Sequence, residues 1–451
     1  MIAGVAAGHP ATAGAGVEIL REGGSAADAA VAASLASCVA ETVMTGLLGG
    51  GHAIHWDAAT RTAENVDGFC AVPSGTGAEL VHLEVPFGAE LVHYAIGPAS
   101  CAVPGVPGLL GELHARHGRL PWSRLCEPAL RLARTGVPMP PAHVACLVML
   151  EPVMTLREGA RLYAPNGHLL EPGELLQQPG LVRALEALAA EGAASAYTGT
   201  LADALLALSD ERGGLLTHAD LESYRAEWLA PLSVRWRGRD VLTRGGLAGI
   251  RDALERFDSP GSLALVDALD EAHAPETHTT NLVAVDADGN ACVITTSLGL
   301  GSGDWLPGFD LHLNSMLGEA DLLRGDLQPG ARMHSMMAPT LVVAGDGLEL
   351  AVGAAGGTRL RTALLTVLAG IVDDGLEAQA AVEVPRIHPA GDVVNAEPGA
   401  DESTLAVLES RGRTVRRWLE RHHYFGGVSG IGSAGLAADP RRSGAALRAA
   451  R

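Results

Sequence analysis

Apolar residues recur at helical spacing near the start of the chain. Residues 11–22 have the period of an amphipathic helix, and the two glycines that follow end it. Ser25 and Asp28 then stand at the spacing of a capping box, which predicts a second helix over residues 26–40. Because this second segment is rich in alanine on every side, we expect neighbouring elements to bury it all round.

Residues 281–295 show the pattern of a β-hairpin. Strand-forming residues flank the turn sequence Asp288-Gly289-Asn290, so two antiparallel strands are predicted, with Thr279 and Thr280 at the start of the first. The same kind of pattern predicts helices at residues 120–136, 180–191 and 201–208, and a turn, short helix and strand within 213–236. It also predicts strands at 52–57, 340–344 and 348–353, the last two around the turn Asp346-Gly347. Gly356-Gly357-Thr358 opens an apolar helix that continues to residue 372.

The stretch at residues 245–277 has a different character. It is rich in glycine, alanine and acidic residues and has little apolar periodicity. We therefore predict an exposed connector, or a short helix over residues 263–274, in front of the paired threonines.

The overall composition is that of an acidic globular protein. The chain has 451 residues, 47% of them hydrophobic, and a formal net charge of -20. We favour one compact body over two or three smaller domains. Nucleic acids and anionic membranes attract clustered positive charge, and the chain has no basic run, so neither is expected as a partner. The start shows no secretion signal, and no apolar stretch is long enough to span a bilayer, so we expect a cytoplasmic protein.

Residue types that are missing or scattered exclude several chemistries. All 32 residues counted as lysine or arginine are arginine. The absence of lysine excludes Schiff-base chemistry, phosphate-loop lysines and serine-lysine acylases. The six cysteines form no Cys-x-x-Cys pair, so we expect small buried apolar residues rather than disulfides.

Two patterns that could bind a cofactor have simpler explanations. The glycine-rich loop at residues 46–51 leads into a strand rather than into the helix that a phosphate-binding loop requires, so we interpret it as a tight turn. His114 with His117, and His422 with His423, lack a carboxylate or cysteine at ligand spacing. We therefore expect neither a metal nor another cofactor.

The paired threonines at positions 279 and 280 have two interpretations. In the first they only begin a strand, as β-branched residues often do. In the second the peptide bond before Thr279 is cut, and the new amine takes the proton of the Thr279 hydroxyl during attack on a carbonyl. Acyl transfer also needs amides that stabilise a negatively charged oxygen, and Gly356 and Gly357 precede a predicted helix, where such amides would lie.

Short motifs follow one another along nearly the whole chain. They are His9-Pro10, residues 16–30, Gly49-Gly50-Gly51, residues 103–108, Thr279-Thr280 with Asp288-Gly289-Asn290, Ala338-Pro339-Thr340, Gly356-Gly357-Thr358-Arg359, Pro385-Arg386-Ile387-His388 and residues 438–442. Together they resemble the gamma-glutamyltranspeptidase family of amino-terminal-nucleophile hydrolases. The resemblance implies an α+β fold, a four-layer αββα sandwich, and a precursor that cuts itself before Thr279. The segments 1–278 and 279–451 would stay together as one compact domain.

The same resemblance implies roles for individual residues. Thr279 would be the catalytic nucleophile, and Gly356 and Gly357 would form the oxyanion hole. Glu319 would stand near the acidic residue that holds a substrate amine, and Ser335 would help to bind a substrate carboxylate. The full set of candidate substrate-binding residues is Phe69, Thr280, Ser297, Glu319 and Ser335.

Several positions depart from the family pattern. Phe69 stands where the family has an arginine that clamps the glutamyl carboxylate, and this change removes the main determinant of glutamyl recognition. Asn281 replaces a histidine, Met336 replaces a serine, and Ser297 and Gly299 replace a threonine and an asparagine that support the nucleophile. We therefore expect a more apolar and less cationic pocket around an unchanged acyl-transfer centre.

Three functions remain open. The first is a hydrolase or transferase that acts on a small molecule with a gamma-glutamyl-like or related acyl group. The second keeps the nucleophile but acts in natural-product biosynthesis, including hydrolysis of a carbon-carbon bond next to a carbonyl. The third is an uncut binding scaffold without catalysis, an interpretation that Asn281 and Gly299 suggest.

Overall fold

Apolar strand segments form two large sheets in this protein. The computed structural model describes residues 1–87, 90–270, 279–319, 322–345 and 347–449. The strands are β1 (Gly4–Ala7), β2 (Gly50–Asp57), β3 (Thr62–Gly68), β4 (Val81–Phe87), β5 (Glu90–Ile96), β6 (Val137–Pro138), β7 (Leu175–Leu176), β8 (Glu227–Leu229), β9 (Leu232–Trp236), β10 (Arg239–Thr243), β11 (Thr280–Val285), β12 (Ala291–Ser297), β13 (Trp305–Leu306), β14 (Leu311–His312), β15 (Thr340–Ala344), β16 (Gly347–Ala355), β17 (Ile387–Ala390), β18 (Val393–Ala396), β19 (Thr414–Arg417), β20 (Gly427–Gly432), β21 (Gly435–Ala438) and β22 (Ala445–Arg448).

Helices occupy the segments between these strands. They are α1 (Pro10–Arg21), α2 (Ala26–Ala40), α3 (Val106–His117), α4 (Trp122–Thr135), α5 (Pro141–Met154), α6 (Gly159–Tyr163), α7 (Pro179–Glu191), α8 (Ser195–Thr198), α9 (Thr200–Arg212), α10 (His218–Ser223), α11 (Ile250–Arg256), α12 (Ser262–Leu269), α13 (Arg359–Val372), α14 (Ala378–Glu383) and α15 (Glu402–Ser410). The predicted helices and strands outside residues 245–277 are found within a few residues of their expected bounds. Asp346, in one predicted turn, lies outside the described residues.

The first two helices begin where their caps predict. His9 Nδ1 accepts a hydrogen bond from the amide of Ala11 at the start of α1. Ser25 and Asp28 exchange capping bonds at the start of α2. Every residue of α2 is buried, which confirms the expectation for this alanine-rich segment.

The predicted hairpin forms the centre of the seven-stranded sheet, sheet A. The strand order is β22-β1-β11-β12-β2-β3-β8. In the hairpin, Thr280 pairs with Thr296 and Val285 pairs with Ala291. Gly289 at the turn has a φ of +86°, a backbone conformation that glycine adopts without strain.

The six-stranded sheet, sheet B, stacks on sheet A. Its strand order is β21-β20-β16-β15-β10-β9. Both sheets contribute to one apolar cluster between them, which includes Ile54, Trp56, Val283, Val285 and Val293 of sheet A and Leu341, Ala351 and Ile431 of sheet B. The two sheets therefore form the inner layers of a sandwich.

Helices cover the outer face of each sheet. On sheet A, Leu282 and Ile294 share a buried cluster with residues of α2, α3, α4, α7 and α9. On sheet B, Val342 and Val352 share a second cluster with residues of α11, α12, α13 and α14. The arrangement is the four-layer αββα sandwich of an α+β protein that the resemblance implies.

The expectation for residues 245–277 is partly wrong. Instead of one exposed connector, the described part of this stretch forms α11 and α12, and both helices bury apolar side chains against sheet B. Leu254 and Leu265 are among these side chains. The predicted helix over 263–274 ends at Leu269, and its remainder reaches residues 271–278, which lie outside the described ranges. A few apolar residues are enough to pack these helices against sheet B, because a short helix buries only one narrow face.

Other sequence expectations concern cysteines and membrane spans. All six cysteines fall within the described residues, and each is buried and unpaired, as expected. Among the helices that the structure describes, none is both long and apolar enough to cross a bilayer.

Candidate active site

The pairing of β11, β12, β2 and β3 brings four strand ends into one row. Ser297 pairs with Gly50, and Thr279 and Phe69 lie one residue beyond the ends of β11 and β3. Side chains alternate between the faces of a sheet, so all four share the face that Asn281 occupies. That face is directed at sheet B, because Val283 and Val285 on the same face of β11 belong to the apolar cluster between the sheets. Ser429 of β20 also donates a hydrogen bond of 3.2 Å to the carbonyl of Asn281.

The strand ends of sheet B lie at the same end of the sandwich as these strand ends of sheet A. Its strand β10 ends at Thr243, β15 begins at Thr340 and β16 ends at Ala355. A hydrogen bond of 3.0 Å from Asn65 Nδ2 to the carbonyl of Thr243 joins the two sheets here. Thr279, Ser297, Phe69 and the strand end before Gly356 therefore lie at one common end of the sandwich.

Thr279 lies beside the segment that leads to the predicted oxyanion glycines. Its exposure is 1%, and it lines a small cavity together with Ala355 and Gly427. Gly356 follows Ala355 directly, so the shared cavity places the candidate nucleophile near the strand end that precedes the glycine pair.

The glycine pair has a backbone that other residues would strain. Gly356 and Gly357 have φ values of +126° and +59°, and a Cβ on Gly356 would lie 2.7 Å from Cα of Gly426. Their carbonyls accept hydrogen bonds from the amides of Arg359 and Leu360 at the start of α13. The turn therefore sits at a helix amino terminus, where amides and the helix dipole favour negative charge.

Thr280 lies on the opposite face from Thr279. Its hydroxyl donates a hydrogen bond to the buried carboxyl of Glu41, which follows α2. Glu41 also accepts a hydrogen bond of 2.6 Å from Thr12. Burial raises the pKa of Glu41 to about 7, and the hydrogen bonds from Thr12 and Thr280 oppose that rise.

Phe69 forms part of an apolar wall at the site. Its exposure is 2%, and its ring stacks on His52 with a centroid distance of 5.5 Å. Cys70, Met316, Met333 and Met337 belong to the same buried cluster. The surface around Phe69 is therefore apolar, and its part in substrate binding stays a prediction.

Two arginines from other segments lie beside this wall. Arg332 Nε is 3.4 Å and Arg244 Nη2 is 3.8 Å from the carboxylate of Asp67. Arg332 also donates to the carbonyl of Phe69 at 2.8 Å, and Arg244 donates to the carbonyl of Ser335 at 3.2 Å. Remote parts of the chain thus place two guanidinium groups near Phe69, and the expectation of a pocket less cationic than that of the family stays a prediction.

The carboxylate of Asp67 holds these basic groups together. Burial disfavours its charged form, but neighbouring His52, Arg244 and Arg332 outweigh burial and lower the pKa of Asp67. Burial lowers the pKa of His52 to about 3, so His52 is neutral at pH 7. Arg332 Nη2 also lies 3.7 Å from Glu227 Oε1, so two carboxylates face the two guanidinium groups.

Ser297, Gly299 and Glu319 meet at a second part of the site. Ser297 Oγ accepts a hydrogen bond of 3.0 Å from the amide of Gly299. A Cβ on Gly299 would lie 2.6 Å from Glu319 Oε1 and from Ser315 Oγ. The absence of a side chain at position 299 thus lets the buried carboxyl of Glu319 approach the strand next to Thr279.

Ser335 is held by its own loop. It has an exposure of 2%, and its Oγ accepts a hydrogen bond of 3.2 Å from the amide of Met337. The hydroxyl proton of Ser335 can donate a further hydrogen bond. Arg244 donates a hydrogen bond to the backbone carbonyl of Ser335. Ser335 and Arg244 thus form one polar edge of the apolar wall.

The histidine pairs make contacts that need no metal. His114 Nε2 lies 2.8 Å from the carbonyl of Leu120, and the ring of His117 stacks on His55. His422 Nδ1 accepts a hydrogen bond from the amide of Tyr424. Within the ranges described above, no group of three or more histidine, cysteine or acidic side chains is placed to hold a metal ion.

Comparison with known proteins gives consistent matches. A family model described as gamma-glutamyltranspeptidase matches residues 12–249 and 253–449. The Acylase ACY 1 proenzyme of Pseudomonas sp. (strain V22) is 28% identical over 495 residues, which cover 92% of this chain and 87% of that relative. The glutathione hydrolase proenzyme of Pseudomonas aeruginosa is 27% identical over 453 residues, which cover 82% of this chain and 80% of that relative.

A solved structure is similar over almost the full length. The crystal structure of cephalosporin acylase from Bacillus halodurans has a TM-score of 0.84 to this protein at 25% identity. The match covers 99% of this chain and 96% of that chain.

Proposed function

Because the chain belongs to the gamma-glutamyltranspeptidase family, we propose that it is a self-processing hydrolase or acyltransferase with Thr279 as its amino-terminal nucleophile. The observation that carries this proposal is the position of Thr279. It is buried at the end of β11 and lines one cavity with Ala355, which leads directly into Gly356 and Gly357.

The mechanism follows from that placement. The free α-amine of Thr279 takes the proton of its own hydroxyl while Oγ forms a bond to the acyl carbon of the substrate. The carbonyl oxygen becomes negatively charged, and the amides of Gly356 and Gly357 stabilise it. The leaving group departs with the proton from the amine and leaves an acyl ester on Thr279. Water or an acceptor amine then attacks the ester and restores the hydroxyl.

The sheet order supports two fragments that stay associated after the cut. Segment 1–278 contributes β1, β2, β3 and β8 to sheet A, whereas segment 279–451 contributes β11, β12 and β22. Since β11 pairs with β1, and β12 pairs with β2, backbone hydrogen bonds join the two segments across the middle of the sheet. The matched relatives are themselves named proenzymes.

The surroundings of Phe69 support an altered acyl specificity. An apolar wall replaces the family arginine, while Arg244, Ser335 and Glu319 supply polar groups at its edges. We therefore propose a substrate whose acyl chain is more apolar than a gamma-glutamyl group. A biosynthetic intermediate meets this description, and the acylase names of the relatives fit it as well.

A panel of chromogenic acyl anilides tests this function. We expect faster turnover of anilides with an apolar acyl chain than of the gamma-glutamyl anilide. Preferred turnover of the gamma-glutamyl anilide would overturn the altered specificity. Denaturing electrophoresis of the same sample addresses the scaffold interpretation, which requires one intact chain of 46.3 kDa and no turnover.

Phe69→Arg tests the location of the acyl pocket. An arginine at this position can form charge-assisted hydrogen bonds to a substrate carboxylate, each worth roughly 1.5–3 kcal/mol. We expect the KM for the gamma-glutamyl anilide to fall about tenfold or more, since 1.4 kcal/mol corresponds to a factor of ten. Steady-state kinetics measure the change. The control is Phe69→Met, which keeps the wall apolar and should leave this KM unchanged. A folded Phe69→Arg protein with an unchanged or higher KM would place the acyl pocket elsewhere.

A further inference from the structure

Glu41 carries a buried carboxyl group that contacts Thr280, the first residue of β11 and the neighbour of the candidate nucleophile. Its exposure is 1%. Thr12 of α1 donates to Oε1 at 2.6 Å, and Thr280 of β11 donates to Oε2. Gly8 leaves room for the carboxyl group, because a Cβ there would overlap Oε2.

Glu41 and Thr279 line the same small cavity at the start of β11, where residues from both faces of the strand meet. Glu41, Thr279, Thr280, His143 and Arg442 are among its lining residues. Its volume of about 20 Å³ accommodates a single water molecule, which needs roughly 10–15 Å³. The hydroxyls and the carboxyl group provide the two to four polar partners that a buried water requires.

Self-cleavage poses a chemical problem that the mature enzyme does not have. Before the cut, the nitrogen of Thr279 belongs to a peptide bond and cannot accept a proton. The Thr279 hydroxyl is a weak nucleophile unless another group takes its proton. The precursor therefore needs a base that the mature mechanism does not use.

We propose that Glu41 is this base in self-cleavage and takes the proton of Thr279 through one water in the shared cavity. The inference rests on the proposed self-processing. Oγ of Thr279 forms a bond to the carbonyl carbon of residue 278. At the same time the hydroxyl proton of Thr279 passes to the water, and a proton of that water passes to Glu41. The carbon–nitrogen bond then breaks, the proton returns through the water to the nitrogen, and an ester remains. A second water from solvent hydrolyses the ester to a carboxyl group and the free hydroxyl.

Other ionisable groups around Glu41 are poorer bases near neutral pH. These groups are His9, Cys38, His143, Asp439 and Arg442. Burial lowers the pKa of His9 and lowers the pKa of His143 to about 3, and burial raises the pKa of Cys38 to about 12. Arg442 carries no acceptor, and Asp439 accepts hydrogen bonds from Arg386 and Arg441.

The proposal predicts a defined pH dependence of self-cleavage. Only the ionised carboxylate of Glu41 accepts a proton, so the cleavage rate should rise with pH through the pKa of about 7 that burial gives this group and then level off. Thr12→Val removes a hydrogen bond that stabilises the carboxylate, so the pKa of Glu41 and the midpoint of the profile should move to higher pH.

The experiment measures the self-cleavage of newly synthesised full-length protein. Cell-free synthesis with a labelled amino acid is stopped, the pH is set, and denaturing electrophoresis measures the loss of full-length chain over time. We expect Glu41→Gln to slow cleavage about 100-fold, within the range for a general base, and Thr12→Val to move the midpoint upward. Thr45→Val serves as the matched control, because it removes a buried hydroxyl that bonds to Thr296 rather than to Glu41, and it should leave the midpoint in place.

The outcomes separate this inference from the proposed function. A wild-type chain that never cleaves overturns the self-processing itself. A wild-type chain that cleaves, with Glu41→Gln equally fast or with an unmoved midpoint in Thr12→Val, overturns only the role of Glu41. Should Glu41→Gln fail to fold, the midpoint of Thr12→Val decides, because a purely structural role of Glu41 would change the rate but not the midpoint.

Discussion

Thr279→Ala is expected to leave one uncut chain of 46.3 kDa without acyl-transfer or hydrolytic activity. The substitution removes Oγ, which is the attacking atom both in the proposed self-cleavage and in turnover. Alanine is smaller than threonine, so the substitution at this buried position introduces no steric clash. Denaturing electrophoresis and an acyl anilide assay measure the two losses on the same sample.

Thr279→Ser is the matched control for this substitution. Serine keeps the hydroxyl and, after the cut, the neighbouring amine, so we expect cleavage and measurable turnover. If Thr279→Ala still separates into two fragments at the wild-type rate, another residue makes the attack. Loss of activity in both variants would instead indicate a structural requirement for the threonine methyl group.

Gly356→Ala is expected to lower kcat/KM by a factor of about 10²–10³, the usual cost of losing one oxyanion contact. The new Cβ would lie 2.7 Å from Cα of Gly426, and both atoms belong to the backbone. The turn must therefore shift, which would move its amides from the positions that the proposed oxyanion hole requires. Steady-state kinetics on the best acyl anilide measure the effect.

Gly412→Ala separates this geometric effect from backbone strain. Gly412 also has a positive φ, of +85°, but no atom lies within 4 Å of the position that its Cβ would occupy. Alanine there costs roughly 1–2 kcal/mol of stability and should leave kcat/KM unchanged. Equal activity losses in both variants would contradict the assignment of Gly356 to the oxyanion hole.

The elements nearest the proposed chemistry were predictable because their signals are local. The hairpin of β11 and β12 follows from strand-forming residues around Asp288-Gly289-Asn290. The start of α2 follows from the capping pair Ser25 and Asp28. The start of α13 follows from Gly356-Gly357, since two glycines with positive φ mark a tight entry into a helix.

The residues around the proposed catalytic centre at Thr279 have no comparable local sequence pattern. Arg244 and Arg332 reach Asp67 from the end of β10 and from a loop before β15. Glu41 meets Thr280 across 239 positions in sequence. Only the stacking of sheets and helices brings such residues together, and an arginine or glutamate alone is typical of a solvated surface. The layered fold could thus be inferred from the motifs, whereas the electrostatic environment required coordinates.

The central claim is that a free threonine amine at position 279 begins the second fragment. Mass spectrometry of the purified protein tests it most directly, because the masses of both fragments and the first residue of the shorter one identify the cut bond. We predict fragments of residues 1–278 and 279–451, the second with an unmodified threonine at its start. An intact chain, or a cut at any other bond, would contradict the account.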